Sequence, residues 1–154
     1  IHLLHYDNLI PFKLNDGIYQ IATFTSRSYH ESIKTSQSSM VRNFEVKNGK
    51  TVKSFLSPSA TLVYGAPLGI FKGEETKKIV LDFFLMNTKL SPQGNKVKII
   101  IDEKFDFIID DWKAYYITGL IDGTHKVQME LINQSGQLLY GPLIQTIVCD
   151  SKLN

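Results

Sequence analysis

The sequence predicts an all-β protein of antiparallel strands, and three observations carry that prediction. Apolar and polar residues alternate with period two in most windows, as they do in strands with one face on a core. Clusters of turn-forming residues interrupt this alternation at short, regular intervals. Few windows carry a helical period. Short strands punctuated in this way belong to a sandwich or a barrel.

In chain order, strands are predicted at Ile18–Phe24, Val41–Val46, Thr61–Tyr64, Ile79–Met86, Lys96–Asp102, Phe105–Asp110, Ala114–Thr118, Lys126–Leu131 and Leu143–Val148. In the fifth, Val97, Ile99 and Ile101 share one face; in the eighth, Val127, Met129 and Leu131 do. The turns between strands are Asn15-Asp16-Gly17, Asn48-Gly49, Ser91-Pro92-Gln93-Gly94-Asn95, Asp122-Gly123 and Ser135-Gly136. Gly65-Ala66-Pro67-Leu68-Gly69 reads as a further turn, since it lacks the Gly-Lys-Ser/Thr of a phosphate loop. Ile79–Met86 is apolar on both faces, which predicts a central strand or one whose outer face is covered. Ser26–Ser39 is polar, without clear period, and reads as a long loop between two strands. The predicted core is Leu81, Phe83, Ile99, Ile101, Ile117, Val127, Met129 and Leu131.

Two stretches resemble each other. Leu14-Asn15-Asp16-Gly17-Ile18-Tyr19-Gln20-Ile21 aligns with Leu120-Ile121-Asp122-Gly123-Thr124-His125-Lys126-Val127, 106 residues later. The shared pattern is Leu-x-Asp-Gly-x-(Tyr/His)-x-(Ile/Val): glycine takes the turn, then a strand alternates. Tyr19 followed by Ile21 resembles the tyrosine corner of immunoglobulin-like and fibronectin type III-like domains, with the antibody cysteine replaced. His125 followed by Val127 is similar to a second copy without the tyrosine. Tyr116–His125 also resembles a passage of fibronectin-type modules and of bacterial secreted immunoglobulin-like domains. The resemblance covers about residues 58–150 and implies an antiparallel immunoglobulin-like β-sandwich. Residues 1–57 are then an N-terminal hairpin segment, the closing strands of one sandwich, and residues 58–154 a complete second one. The antibody-type Cys-Trp-Cys core is absent, and Trp112 follows Asp110-Asp111 in an expected loop. The resemblance also implies a hydrogen bond from a buried Tyr19 to the backbone a few residues upstream.

Composition narrows the function. The chain has 154 residues, with 17 Lys and Arg against 15 acidic residues, and a net charge of +2. The lysines are scattered along strands, so nothing points to nucleic acid, whose binders gather basic charge on one face. No apolar run approaches the ~20 residues of a membrane-spanning helix. A single cysteine, Cys149, excludes an internal disulfide and sits among apolar neighbours. The chain starts Ile1-His2-Leu3, without Met or a signal peptide, so a removed leader or a longer polypeptide is expected upstream.

Candidate chemistry is sparse. His2, His5 and Asp7 could offer metal ligands, but on a strand residues three apart face opposite sides and no further ligand is visible nearby. Asp102, Asp106, Asp110 and Asp111 could gather calcium only without a turn at Glu103-Lys104, so they are read as solvated strand-edge charges that discourage stray pairing. No Gly-x-Ser-x-Gly elbow occurs. Asn133-Gln134-Ser135 fits a glycosylation sequon. Trp112, Tyr115 and Tyr116 could stack on sugar rings, although adjacent tyrosines on a strand face opposite ways. The densest recognition cluster is Arg27, Tyr29, His30 and Glu31, in a loop longer than hairpin closure needs. The expectation is a non-catalytic structural or protein-interaction module without cofactor or metal. It would be an accessory subunit of an envelope or cell-surface assembly, periplasmic or extracellular, with a protein partner. A carbohydrate-binding accessory module is the alternative.

Overall fold

Strands form where alternation presents one apolar face, and the turn residues set their ends. The computed structural model describes residues 12–25, 33–35 and 38–152. Among them are β1 Gly17–Phe24, β2 Ser39–Lys47, β3 Lys50–Leu56, β4 Thr61–Ala66, β5 Gly69–Lys72, β6 Ile79–Met86, β7 Lys96–Ile101, β8 Phe105–Ile109, β9 Tyr115–Ile117, β10 Gly123–Ile132 and β11 Leu138–Asp150. A short 3-10 helix, Gly73–Lys77, follows β5. No described helix is long and apolar enough to cross a membrane.

The chain divides into two compact units, Ile1–Ile21 with Val41–Ser57 and Ala22–Met40 with Pro58–Asn154. The first is built on the three-stranded sheet β1-β2-β3. Its β2–β3 hairpin closes at Asn48 (φ 52°) and Gly49 (φ 70°), the positive dihedrals that a tight two-residue hairpin turn needs. Tyr19 and Phe44 stack on one face of this sheet at 5.7 Å, while Gln20 and Asn43 hydrogen-bond on the other.

The second unit is an all-β sandwich. One sheet has the order β5-β11-β10-β7-β8 and the other β4-β6-β9. In the larger sheet β11, β10, β7 and β8 lie side by side, and in the smaller β6 lies between β4 and β9. Pairings are antiparallel except for β5 with β11, which is parallel. All eight residues of the predicted core are buried, and they interlock with Leu62, Tyr64, Ile109 and Ile147. Burying one such side chain contributes roughly 1.5–3 kcal/mol. Cys149 belongs to the same core; burial, with the Asp122 and Asp102 charges behind it, pushes its thiol up.

Strand β6 is central, and its second apolar face is covered as well. Leu81, Phe83 and Leu85 point into the sandwich; Asp82, Phe84 and Met86 lie on the other face and are just as buried. Phe24 stacks on Phe84 at 4.9 Å, and Trp112 meets the same ring edge-on at 4.9 Å. The segment carrying Phe24 and Lys34 therefore supplies part of the cover.

Candidate functional site

A five-stranded sheet facing a three-stranded one leaves an overhang at β8. Register places Phe105 opposite Ile101, Phe107 opposite Ile99 and Ile109 opposite Val97, so all three point to the inner side. Ile109 reaches the core, but Phe105 and Phe107 remain 58% and 55% exposed because no described strand of the smaller sheet extends beneath them. Ile108, on the outer side, is 53% exposed. Since β8 ends its sheet among the described strands, apolar rings and a strand edge that no described strand pairs with coincide.

The turn before β8 is anchored from the neighbouring strand. Asp102 (φ 54°) and Glu103 (φ 58°) are both left-handed, and the Lys104 N–H donates to the Ile101 carbonyl at 3.0 Å. Non-glycine residues resist that conformation, so side-chain bonds must hold it. Asp102 Oδ1 accepts the Lys126 N–H at 2.8 Å, and Asp102 Oδ2 faces His125 Nδ1 at 2.7 Å. His125 Nε2 lies 2.7 Å from the Ile121 carbonyl. With an oxygen acceptor facing each ring nitrogen, this geometry favours the doubly protonated imidazolium over either neutral tautomer.

Electrostatics agree with that geometry. Burial alone would lower the His125 pKa, but the hydrogen bonds to Asp102 and Ile121 and the Asp102 charge raise it above its ordinary value. Burial alone would raise Asp102; bonds from His125 and Lys126, with the His125 and Lys104 charges, bring it below the usual carboxylate range. With both nitrogens committed, this ring has none left to activate a nucleophile. The pair clamps the β7–β8 turn onto β10.

The two aligned sequence stretches are also alike in geometry. The Tyr19 hydroxyl donates to the Asn15 carbonyl at 2.9 Å, as His125 does to Ile121, each four residues back. The aspartates of the two Asp-Gly turns match too. Asp16 accepts the Asn48 N–H at 2.8 Å and Asp122 the Ser151 N–H at 2.7 Å, each just beyond the following strand of its own hairpin. Tyr19 is half-buried rather than buried. A third bond of this kind, unforeseen in the sequence, joins the Tyr115 hydroxyl to the Asp111 carbonyl at 2.9 Å.

Arg27, Tyr29, His30 and Glu31 lie outside the described residues, as do His2, His5 and Asp7. The described part of the same loop is pinned. The Thr25 N–H donates to the Ser38 carbonyl and the Ile33 N–H to the Thr25 carbonyl. From this loop, Lys34 pairs with the buried Asp82 and sits 6.0 Å from the centre of the Trp112 ring. Neither charge was singled out in the sequence. The available signal was Asp82 itself, one carboxylate within the apolar Ile79–Met86, which obliges the fold to bring a cation.

The expected aromatic trio does not form one platform. Trp112 gives its Nε1 hydrogen to the Phe83 carbonyl at 3.1 Å and its ring to Phe84. Tyr115 is half-buried, and the exposed Tyr116 carries the Lys78 ammonium 4.0 Å above its ring. Asn133 accepts the Ser135 and Gln137 N–H groups, each at 2.9 Å, and so shapes the β10–β11 turn. Glu103 and Lys104 lie in the turn that separates Asp102 from Asp106, and no described group of three His, Cys, Asp or Glu side chains is arranged to hold a metal. No protein-family model matches the chain, and no curated protein matches it.

Proposed function

We propose that the chain is a non-catalytic structural or protein-interaction module, an accessory subunit of an envelope or cell-surface assembly in the periplasm or outside the cell. The carrying observation is the β8 overhang. Exposed inner-face phenylalanines beside an open strand edge form the combination that strand addition by a protein partner uses. The matched bonds of Tyr19 and His125 support reading the first unit as the closing strands of an immunoglobulin- or fibronectin type III-like sandwich. An open groove of about 380 Å³ on that unit gathers Phe12, Leu14, Ile21, Phe44 and Val46 beside Arg42, Thr51 and Ser54, a mixed lining whose apolar part a second sheet could cover.

The alternative, a carbohydrate-binding accessory module, rests on Trp112, Tyr115 and Tyr116. It is the weaker reading, because Trp112 is spent on Phe84 and the Tyr116 face on Lys78. Binding by the immobilised chain to an extract of its source, run beside a glycan array, tests the two. Saturable protein binding lost in Phe107→Asp supports the interaction module. Glycan binding lost in Tyr116→Ala, with no protein binding, transfers the function to the alternative.

A further inference from the structure

We infer that the partner of β8 is β8 of a second copy of this chain, paired antiparallel about Phe107. This rests on the interaction-module reading and names its partner.

The register follows from sequence and symmetry. A two-fold axis perpendicular to a continuous sheet keeps each side chain on its own face, so the pairing must centre on one residue of the strand. Centred on Asp106, it sets two Asp106 carboxylates against each other. Centred on Ile108, it sets Asp106 against Asp110 of the other copy. Centred on Phe107, it places Lys104 opposite Asp110 at both ends, Phe105 opposite Ile109, and Asp106 opposite Ile108. Centred on Phe105, it sets Lys104 against Asp106, a carboxylate that Lys98 already holds, and runs the pairing into the turn at Asp102 and Glu103; the Phe107 register pairs opposite charges, avoids like ones and keeps all of Phe105–Ile109 in the junction. Asp106 is already engaged by Lys98 at 3.4 Å within its own sheet.

The same register gathers the overhang. Phe105 and Phe107 of both copies share one face of a sheet running through both molecules, and each set fills the space beyond the other's smaller sheet. Edge charges that discourage indiscriminate pairing thereby select one alignment. The edge of β3 lacks this complementarity: its charges, Lys50 and Lys53, have one sign, so no register pairs opposite charges, and pairing about Lys53 sets two Lys53 ammoniums against each other. A seven-residue edge contact is small beside a standard protein interface, so the expected dimer is weak, with a dissociation constant in the micromolar range.

Sedimentation velocity of the full chain over a concentration series tests this. Wild type should pass from monomer to dimer. Asp110→Lys alone and Lys104→Asp alone should each weaken association at least tenfold, and the two single variants mixed should associate with each other. The double variant should recover most of the affinity. Circular dichroism of each variant keeps misfolding apart from lost association. A wild type monomeric to millimolar concentration, or charge variants that dimerise undiminished, overturns the inference. A photo-crosslinking residue at position 107 then separates it from the broader reading. Crosslinks only to a different protein leave the interaction module standing without the dimer, and crosslinks to no protein remove both.

Discussion

Tyr19 and His125 hydrogen-bond the same carbonyl relative to themselves, four residues back across an Asp-Gly turn, at 2.9 and 2.7 Å. The equivalence is chemical, since a phenol hydroxyl and an imidazole N–H both reach that acceptor from the strand that follows. Tyr19→Phe keeps the stacking on Phe44 and deletes only the bond, so the first unit should lose about 0.5–1.5 kcal/mol. Native-state hydrogen exchange of the β1 and β2 amides reads that loss. Unchanged protection would make the bond incidental.

The His125–Asp102 clamp gives stability a defined pH dependence. The His125 pKa is raised on folding, so its contribution is complete below its unfolded value of about 6.5 and fades as pH rises through the folded value. The Asp102 pKa is lowered, so its contribution is present above about 3.9 and fades as pH falls through the folded value. The second unit should therefore be most stable, from this pair, between those limits. Urea denaturation across pH 5 to 9 should show an alkaline decline that His125→Phe abolishes. A decline persisting in that variant would assign the effect elsewhere.

Asp82 and Lys34 form a nearly buried ion pair. Removing one member of such a pair strands the other, at a cost of roughly 3–5 kcal/mol, whereas replacing both by apolar residues can be close to neutral. Lys34→Ala should lower the melting temperature strongly and Lys34→Met with Asp82→Leu much less. The sole tryptophan, Trp112, reports the locality: Lys34→Ala should shift its emission before global unfolding.

Gly65 sits where β4 shifts register against β6, and a Cβ there would lie 2.9 Å from the Asp82 carbonyl oxygen and 3.1 Å from its Oδ2. Backbone cannot yield easily, so Gly65→Ala should destabilise the sandwich by about 1–3 kcal/mol. Thermal unfolding within 1 °C of wild type would contradict that contact.

Legibility followed burial. Strands with one wet and one dry face, such as β7 and β10, announce themselves by alternation. Strand β3 was missed because all seven residues are exposed, and without a dry face no period is imposed on Lys50–Leu56. Strand β5 has only four residues. The first half of β11 was hidden by Gly141-Pro142, which reads as a break. The strand instead passes through it as an irregularity opposite Met129 and Leu131, with Gly141 at φ 106°, where a Cβ would lie 2.9 Å from the Met129 carbonyl oxygen. The Asp102–His125 clamp joins distant strands, and one sequence does not state which strands become neighbours. The Phe105–Phe107 overhang was hidden for the opposite reason: alternation foretold an inner face, but not that the opposing sheet would stop short of it.

The parallel pairing of Gly69–Lys72 with Ile147–Asp150 has a consequence for synthesis. Strand β11 lies between β5 and β10, so until it leaves the ribosome both of those neighbours keep a bare edge. We predict that the sandwich cannot close during translation of its own sequence and must wait for the last strand to emerge. Ribosome-bound chains stalled with β11 inside the tunnel should be cut readily by protease, and chains with a long trailing linker should resist. Resistance already present at the shorter length would mean that the remaining strands hold together while the place between β5 and β10 is vacant.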